Sequence, residues 1–369
     1  MAPIKTAVLG TGMSAFIFHY PFLKALPNHF EVYAAWERRA TSTESKARAA
    51  FPNVKVYTKL DELLADSNIE LVVISLPPNV HYEVVSQALN AGKHVLCEKP
   101  FTPTYGEAKE LFDLAKSKNL MLTVYQNRRF DGDFLTAKEC IENGRLGEVV
   151  QFESHIDRFR LFRKGNWKDV PNPGCGLVYD LGSHLIDQAI TLFGTPHSVT
   201  AKLESQRQIP PLEVEDCFRI VLHYLPQEGR LPLDVIVCSS SISCGLDMRY
   251  IIKGTRGSFL KFGIDPQESQ LNEGMSPMDP GYGVDSSHHY ATLWTLPPDI
   301  DVRHPPKPTK STLMTIAGDY RRFYLEVHEA LVTKTFETSV KPHQVLLVEK
   351  IIEAAYKSSQ SSTSIPLSE

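Results

Sequence analysis

The chain has 369 residues, of which 42% are hydrophobic and 22% charged, with a formal net charge of −4. That length suggests two domains, and the composition is that of an ordinary globular protein. No block of lysines and arginines marks a nucleic-acid surface, no apolar run reaches membrane-span length, and MAPIKTAVLGTGM lacks the apolar core and cleavage site of a signal peptide.

In chain order, apolar, β-branched runs at 4–9, 32–36, 71–76, 94–97 and 120–125 read as strands. Helical stretches lie between them. Val84, Val85, Ala88 and Leu89 share one face of a helix that closes on Gly92, and Ala108, Leu111, Phe112 and Ala115 share one face of the next. Continuous apolar strands alternating with helices predict a parallel sheet covered on both faces, with its chemistry at the carboxyl ends of the strands.

The first strand runs into Gly10-Thr11-Gly12-Met13-Ser14-Ala15, a GxGxxA turn. Gly10 suits the tight turn, Gly12 close approach of a pyrophosphate, and Ala15 close packing of helix on strand. The second strand ends in Glu37-Arg38-Arg39, two opposed signals. A carboxylate there takes the ribose hydroxyls of NAD, whereas guanidinium groups clamp the 2′-phosphate of NADP. The arginines favour NADP, provided that Glu37 turns away or pairs. The third strand ends in Ser75-Leu76-Pro77-Pro78-Asn79, a rigid loop where the middle of a dinucleotide would pass; Asn79 either caps the next helix or contacts the cofactor. The fourth ends in Glu98-Lys99-Pro100. A lysine beside a nicotinamide can donate a proton or hydrogen bond to the oxygen being converted, and Pro100 fixes where it points.

Beyond residue 147 the texture changes to a second, α+β domain. An alternating strand begins near 148, and a helical run covers 178–193. Asp180 and His184 are four apart and so share a helical face, with Asp187 continuing that side. A histidine oriented by a carboxylate is what removal of a hydroxyl proton requires. Strands at 216–224, 233–243 and around KGTRGS predict a largely antiparallel sheet. Arg158, Arg160, Arg163, Lys164, Asn166 and Trp167 either read ring hydroxyls or form only a loop over the cleft. Residues 265–310 read as an irregular excursion. The last helix carries a stripe of Val345, Leu346, Val348, Ile352 and Ala355, and SSQSSTSIPLSE reads as a frayed tail.

Cys97, Cys140, Cys175, Cys217, Cys238 and Cys244 show no CxxC and no zinc-like spacing. They read as buried thiols of a cytoplasmic protein, and no metal site is expected.

GTGMSA, CEKPFTPT and YDLGSHLIDQ, in this order, resemble the motifs of the Gfo/Idh/MocA oxidoreductase family. YQNRRFDGDFLTAKECIENGRLGEV resembles the branch containing NADP-dependent scyllo-inositol dehydrogenase. The resemblance implies a Rossmann-like parallel-sheet domain at 1–125 and an α+β domain with an open, mainly antiparallel sheet at 126–369. It implies Lys99, Asp180 and His184 as catalytic residues, a cis bond before Pro100, and a homodimer or homotetramer. It also implies that Asn127 and Arg128 touch nicotinamide or substrate, with Arg129 either joining them or anchoring the domain interface. The expected cofactor-binding set is Gly10, Gly12, Met13, Glu37, Arg38, Arg39, Ser75, Pro77, Asn79, His81, Glu98, Asn127 and Arg128, with NADP preferred to NAD. The expected reaction is hydride transfer between nicotinamide and a hydroxyl or carbonyl carbon of a sugar, polyol or inositol-like substrate, with no nucleic-acid or membrane partner. A cofactor-sensing regulator without turnover is the alternative.

Overall fold

The computed structural model describes residues 2–165, 167–226, 231–245, 247–297, 299, 301 and 303–367. The first sheet contains six parallel strands: β1 (Ile4–Leu9), β2 (Phe30–Trp36), β3 (Lys55–Tyr57), β4 (Leu71–Ile74), β5 (His94–Cys97) and β6 (Leu122–Val124), in the order β3-β2-β1-β4-β5-β6. Every side chain of β4 is fully buried, as a strand covered on both faces must be. The connections carry α1 (Tyr20–Ala25), α2 (Lys46–Ala50), α3 (Leu60–Leu64), α4 (His81–Asn90) and α5 (Tyr105–Ser117). The apolar faces read for α4 and α5 are the buried ones. The Thr104 hydroxyl opens α5 by accepting from the Glu107 amide at 3.2 Å. The strand order reverses between β1 and β4, so the crevice for a ligand lies beyond their carboxyl ends.

The chain continues through α6 (Gly132–Glu142), β7 (Val149–His155), α7 (Ser183–Phe193), β8 (Ser198–Glu204), β9 (Cys217–Tyr224), β10 (Leu233–Ser240), β11 (Met248–Gly254) and β12 (Gly257–Phe262). It closes with α8 (Gln267–Asn272), β13 (Ala291–Thr295), β14 (Thr309–Leu313), α9 (Arg321–Thr333), α10 (Pro342–Ser361) and β15 (Ile365–Pro366). The second sheet has nine strands ordered β14-β13-β12-β11-β7-β10-β9-β8-β15, and its β7–β10 pair is parallel while the others are antiparallel.

Two compact units result. The first holds the chain up to Asn127 together with Glu268–Tyr282 and Asp319–Glu349; the second holds Arg128–Gln267, Gly283–Gly318 and Lys350–Glu369. The first unit is thus built from three separate stretches of the chain, and the second likewise. In the first unit, the Phe22 ring lies 6.0 Å from Tyr320 and 6.2 Å from Tyr324, which fastens α9 to α1.

Two expectations need correction. The stretch 265–310 is not wholly irregular, since it supplies α8, β13 and the first residues of β14. The C-terminal tail is not frayed: Ile365 pairs with Val199, Pro366 pairs with Ser198, and the Leu367 amide donates to the His197 carbonyl at 2.9 Å. Leu367 is buried, which holds a polar stretch that composition alone reads as loose.

Candidate active site

The glycine turn follows β1 directly. Gly10 has φ +104°, and a Cβ there would fall on the Ser75 carbonyl oxygen, so β1 and β4 can approach only with glycine at that point. Gly12 differs, because a Cβ built on it meets nothing within 4 Å. Among the described residues no neighbour crowds that position, and the open space is what close approach of a ligand needs. Gly10, Gly12, Glu37, Arg38, Arg39, Ser75 and Pro77 line one cleft of about 340 Å³, with Lys46 beside them. The buried Ser75 hydroxyl has no hydrogen-bond partner among the described residues. Met13 follows the turn and is largely exposed. A larger depression of about 710 Å³, lined by Asp61, Lys93 and His94, lies by the amino ends of β4 and β5, away from the glycine turn.

At the end of β2 the Glu37 side chain turns into the fold. The Glu37 carboxylate accepts from the Ser45 hydroxyl at 2.7 Å and from the Lys46 and Ala47 amides at 3.0 and 3.2 Å, and so caps α2. Burial pushes its pKa up, but these hydrogen bonds and the Lys46 charge outweigh burial and hold it below the usual carboxylate range. Arg38 and Arg39 are exposed at the cleft, and the Arg38 guanidinium stands 5.7 Å from the Trp36 ring centre. Both glycines and the orphan hydroxyl suit a bound dinucleotide.

Asn79 is exposed and makes no side-chain cap to α4, so the capping alternative is not realised. His81 also needs correction as a cofactor contact. Its ring is fully buried, with Nδ1 2.8 Å from the Phe101 carbonyl and 3.1 Å from the Pro100 carbonyl, and Nε2 2.8 Å from the Leu76 carbonyl. Burial lowers its pKa. It ties the loop after β4 to the loop carrying Lys99. The Lys99–Pro100 bond is cis, and Lys99 itself is half-buried. Glu98 is buried and points inward: its carboxylate accepts from the Lys99 amide at 3.0 Å and from the Ser14 hydroxyl, and it lies 3.0 Å from His19 Nε2.

Asn127, buried, opens a short 3₁₀ turn through Phe130. In the second unit Arg128 is buried and donates to Asp131 at 3.1 Å. Arg129 forks onto Asp187 at 2.7 and 2.6 Å, so Asp187 is an anchor for α7. Gln188, one residue on, donates to the Arg128 carbonyl at 2.7 Å and accepts from Arg249 and from the Tyr250 hydroxyl, each at 2.9 Å. These bonds fix the rotation of α7. A π-helical turn, Val178–Gly182, leads into it and carries Asp180; His184 is buried in the first turn of α7 itself. Asp180 accepts a hydrogen bond from Lys168, a residue that the sequence reading passed over. Behind the π turn lies Glu215, whose carboxylate accepts from the Val178 amide and the Tyr356 hydroxyl, both at 2.9 Å.

Among the loop cations, Arg163 is structural, since its guanidinium donates to the carbonyls of Ile209, Pro211 and Val214 at 2.8–2.9 Å. The Lys164 side chain is exposed, while Arg158 and Arg160 are half-buried. Asn166 and the Trp167 side chain lie outside the described residues. Glu153, His155 and Cys238 bring ligand-type atoms within 4.8 Å of one another on the second sheet. Arg219 stands 3.6 Å from Glu153 and 3.7 Å from Cys238. Among the described residues no helix is long and apolar enough to cross a membrane.

Comparison with known proteins agrees with this architecture. Residues 4–126 match the model of the oxidoreductase family NAD-binding Rossmann fold, and residues 138–367 match that of the family's C-terminal alpha/beta domain. An uncharacterised oxidoreductase of Schizosaccharomyces pombe is 67% identical over the full length of both chains. A scyllo-inositol 2-dehydrogenase (NADP(+)) of Bacillus subtilis is 35% identical, over 99% of this chain and 96% of the relative. The solved structure of the Bacillus subtilis oxidoreductase yvaA superposes with a TM-score of 0.90 at 34% identity, covering 100% of this chain and 99% of that one. The matched domains and the two sheets together make this chain a member of the Gfo/Idh/MocA oxidoreductase family.

Proposed function

We propose that the protein is an NADP-preferring dehydrogenase or reductase of a sugar, polyol or inositol-like substrate, with Lys99, Asp180 and His184 as its catalytic residues. The observation that carries the cofactor preference is the inward turn of Glu37. A carboxylate free at the end of β2 repels a 2′-phosphate; one engaged in capping α2 leaves Arg38, Arg39 and Lys46 to meet it. The substrate class rests on the relative named as a scyllo-inositol dehydrogenase.

When bound, the nicotinamide supplies the hydride acceptor or donor. His184 takes the hydroxyl proton in oxidation and returns it in reduction. Lys99 donates a hydrogen bond to the oxygen as its charge develops. Asp180 orients the substrate and balances the cations around it, Lys168 among them. A panel of scyllo-inositol, myo-inositol, glucose and xylose, assayed in parallel with both cofactors, tests the reading. The expected result is turnover of at least one cyclic polyol, with kcat/KM at least about tenfold higher for NADP than for NAD. A clear preference for NAD overturns the phosphate assignment.

A further inference from the structure

Five residues beyond Ser14, at the end of a π-helical turn spanning Ala15–His19, a histidine is completely enclosed. On an α-helix residues five apart diverge by about 140°. Here the Tyr20 amide bonds back to the Ala15 carbonyl, an i→i+5 closure that winds the backbone more loosely and brings both side chains to one side. Both reach the same atom: His19 Nε2 lies 3.0 Å from Glu98 Oε1, and the Ser14 hydroxyl donates to that oxygen. The other carboxylate oxygen accepts from the Lys99 amide at 3.0 Å. His19 is held in turn from α9, with Nδ1 2.7 Å from the Tyr324 hydroxyl, and its ring packs 4.8 Å from that of Tyr125. π turns often mark functional sites. This one joins the glycine turn to the residue before Lys99.

Titratable groups face Glu98 from five elements: His19 from the helix after the glycine turn, Cys97 on β5, His81 on α4, Tyr125 after β6 and Tyr324 on α9, with Lys99 next in the chain. Burial pushes Cys97, Tyr125 and Tyr324 well up, so these three stay neutral near pH 7, and it pushes His81 down against the carbonyls that face its ring. Burial also pushes Glu98 up. The His19 hydrogen bond and charge, then the Lys99 charge and Ser14, reverse that and hold Glu98 below the usual range. The attraction between Glu98 and Lys99 is mutual, so an ionised Glu98 favours the ammonium form of Lys99.

We propose that Ser14, His19 and Glu98 form a buried positioning relay for Lys99: Glu98 fixes its backbone and sets a negative charge beside its side chain, while His19 and Ser14 hold Glu98. This rests on the reading of Lys99 as a hydrogen-bond donor to substrate. None of the three is a catalytic residue.

The test uses the full chain and three substitutions. Glu98→Gln keeps the shape and removes the charge. His19→Leu removes the donor to Glu98, and His19→Gln restores it through the amide. Reductive ¹³C-methylation, with the Lys99 signal identified by its loss in Lys99→Met, gives the titration of Lys99 without any turnover. The relay predicts a Lys99 pKa about one unit lower in Glu98→Gln. With the best substrate of the panel, kcat should fall about 10- to 100-fold in Glu98→Gln and His19→Leu, while NADPH Kd and substrate KM stay within about threefold. The alkaline limb of kcat should move to lower pH in Glu98→Gln, because Lys99 loses its proton earlier. His19→Gln should recover most of the kcat lost in His19→Leu. An unchanged Lys99 titration in Glu98→Gln, with wild-type kcat in folded His19→Leu, overturns the relay. If Lys99→Met is itself inactive while the relay variants match wild type, only the relay fails. If Lys99→Met turns over normally, the reading of Lys99 has failed as well.

Discussion

At the scale of single residues, two carboxylates show how environment sets what a side chain does. Glu37 is held ionised by hydrogen-bond donors at the start of α2, which spends its charge inside the fold. Glu215 is pushed the other way. Burial raises its pKa from the ordinary 4.5 to about 6, against the hydrogen bonds from Val178 and Tyr356. A raised acid binds its proton more tightly folded than unfolded, so the stabilisation is complete below pH 4.5 and is lost as pH rises through about 6. The size is about 2 kcal/mol. Glu215→Gln should therefore gain about 2 kcal/mol relative to wild type between pH 4.5 and pH 7, read from melting curves across that range. Parallel curves would show that Glu215 does not titrate there. Gly176 guards the same spot, since it has φ +92° and a Cβ on it would strike the Glu215 carboxylate.

Among the elements, several long periodic segments were legible in the sequence, whereas α6, α9 and several short strands were not. The faces of α4 and α5, the turn between β11 and β12, and the parallel character of the first sheet, though not its strand order, follow from apolar period and glycine placement. β3, β8, β13 and β15 escaped: some are very short, others polar or half-exposed, and each is defined by a partner strand rather than by its own residues. The π turns escaped for a related reason, because AFIFH reads as ordinary helix and nothing local announces that His19 meets a glutamate 79 positions away. The glycines, arginines and Ser75 of the cleft were legible because each follows a recognisable strand, and a parallel sheet brings the carboxyl ends of its strands together. Lys46 and Lys168 were not, since their neighbourhoods are made by folding. The edge strand offers a test at this scale. Removing residues 362–369 strips β15 from β8 and uncovers what Leu367 covers, and should cost about 2–3 kcal/mol, seen as a lower urea midpoint. An unchanged midpoint would mean that the tail is a passenger.

For the whole molecule, the residues of the proposed reaction are divided between the two units. The first gathers a glycine turn, a cationic cleft and Lys99, each at the carboxyl end of a parallel strand. The second holds Asp180 and His184 at the start of a helix whose rotation is fixed by Arg129, Arg249 and Tyr250. Membership of an oxidoreductase family gives both parts a purpose, and the proposed reaction gives them a common one. The measurement that bears on it most directly is isotopic. The protein is incubated with NADP⁺ and ring-deuterated inositols, and the reduced cofactor is examined by mass spectrometry. The account predicts about one deuterium on each nicotinamide reduced, and loss of that transfer in Lys99→Met and His184→Ala. Tight binding of NADP with no label transferred from any inositol or sugar would contradict it.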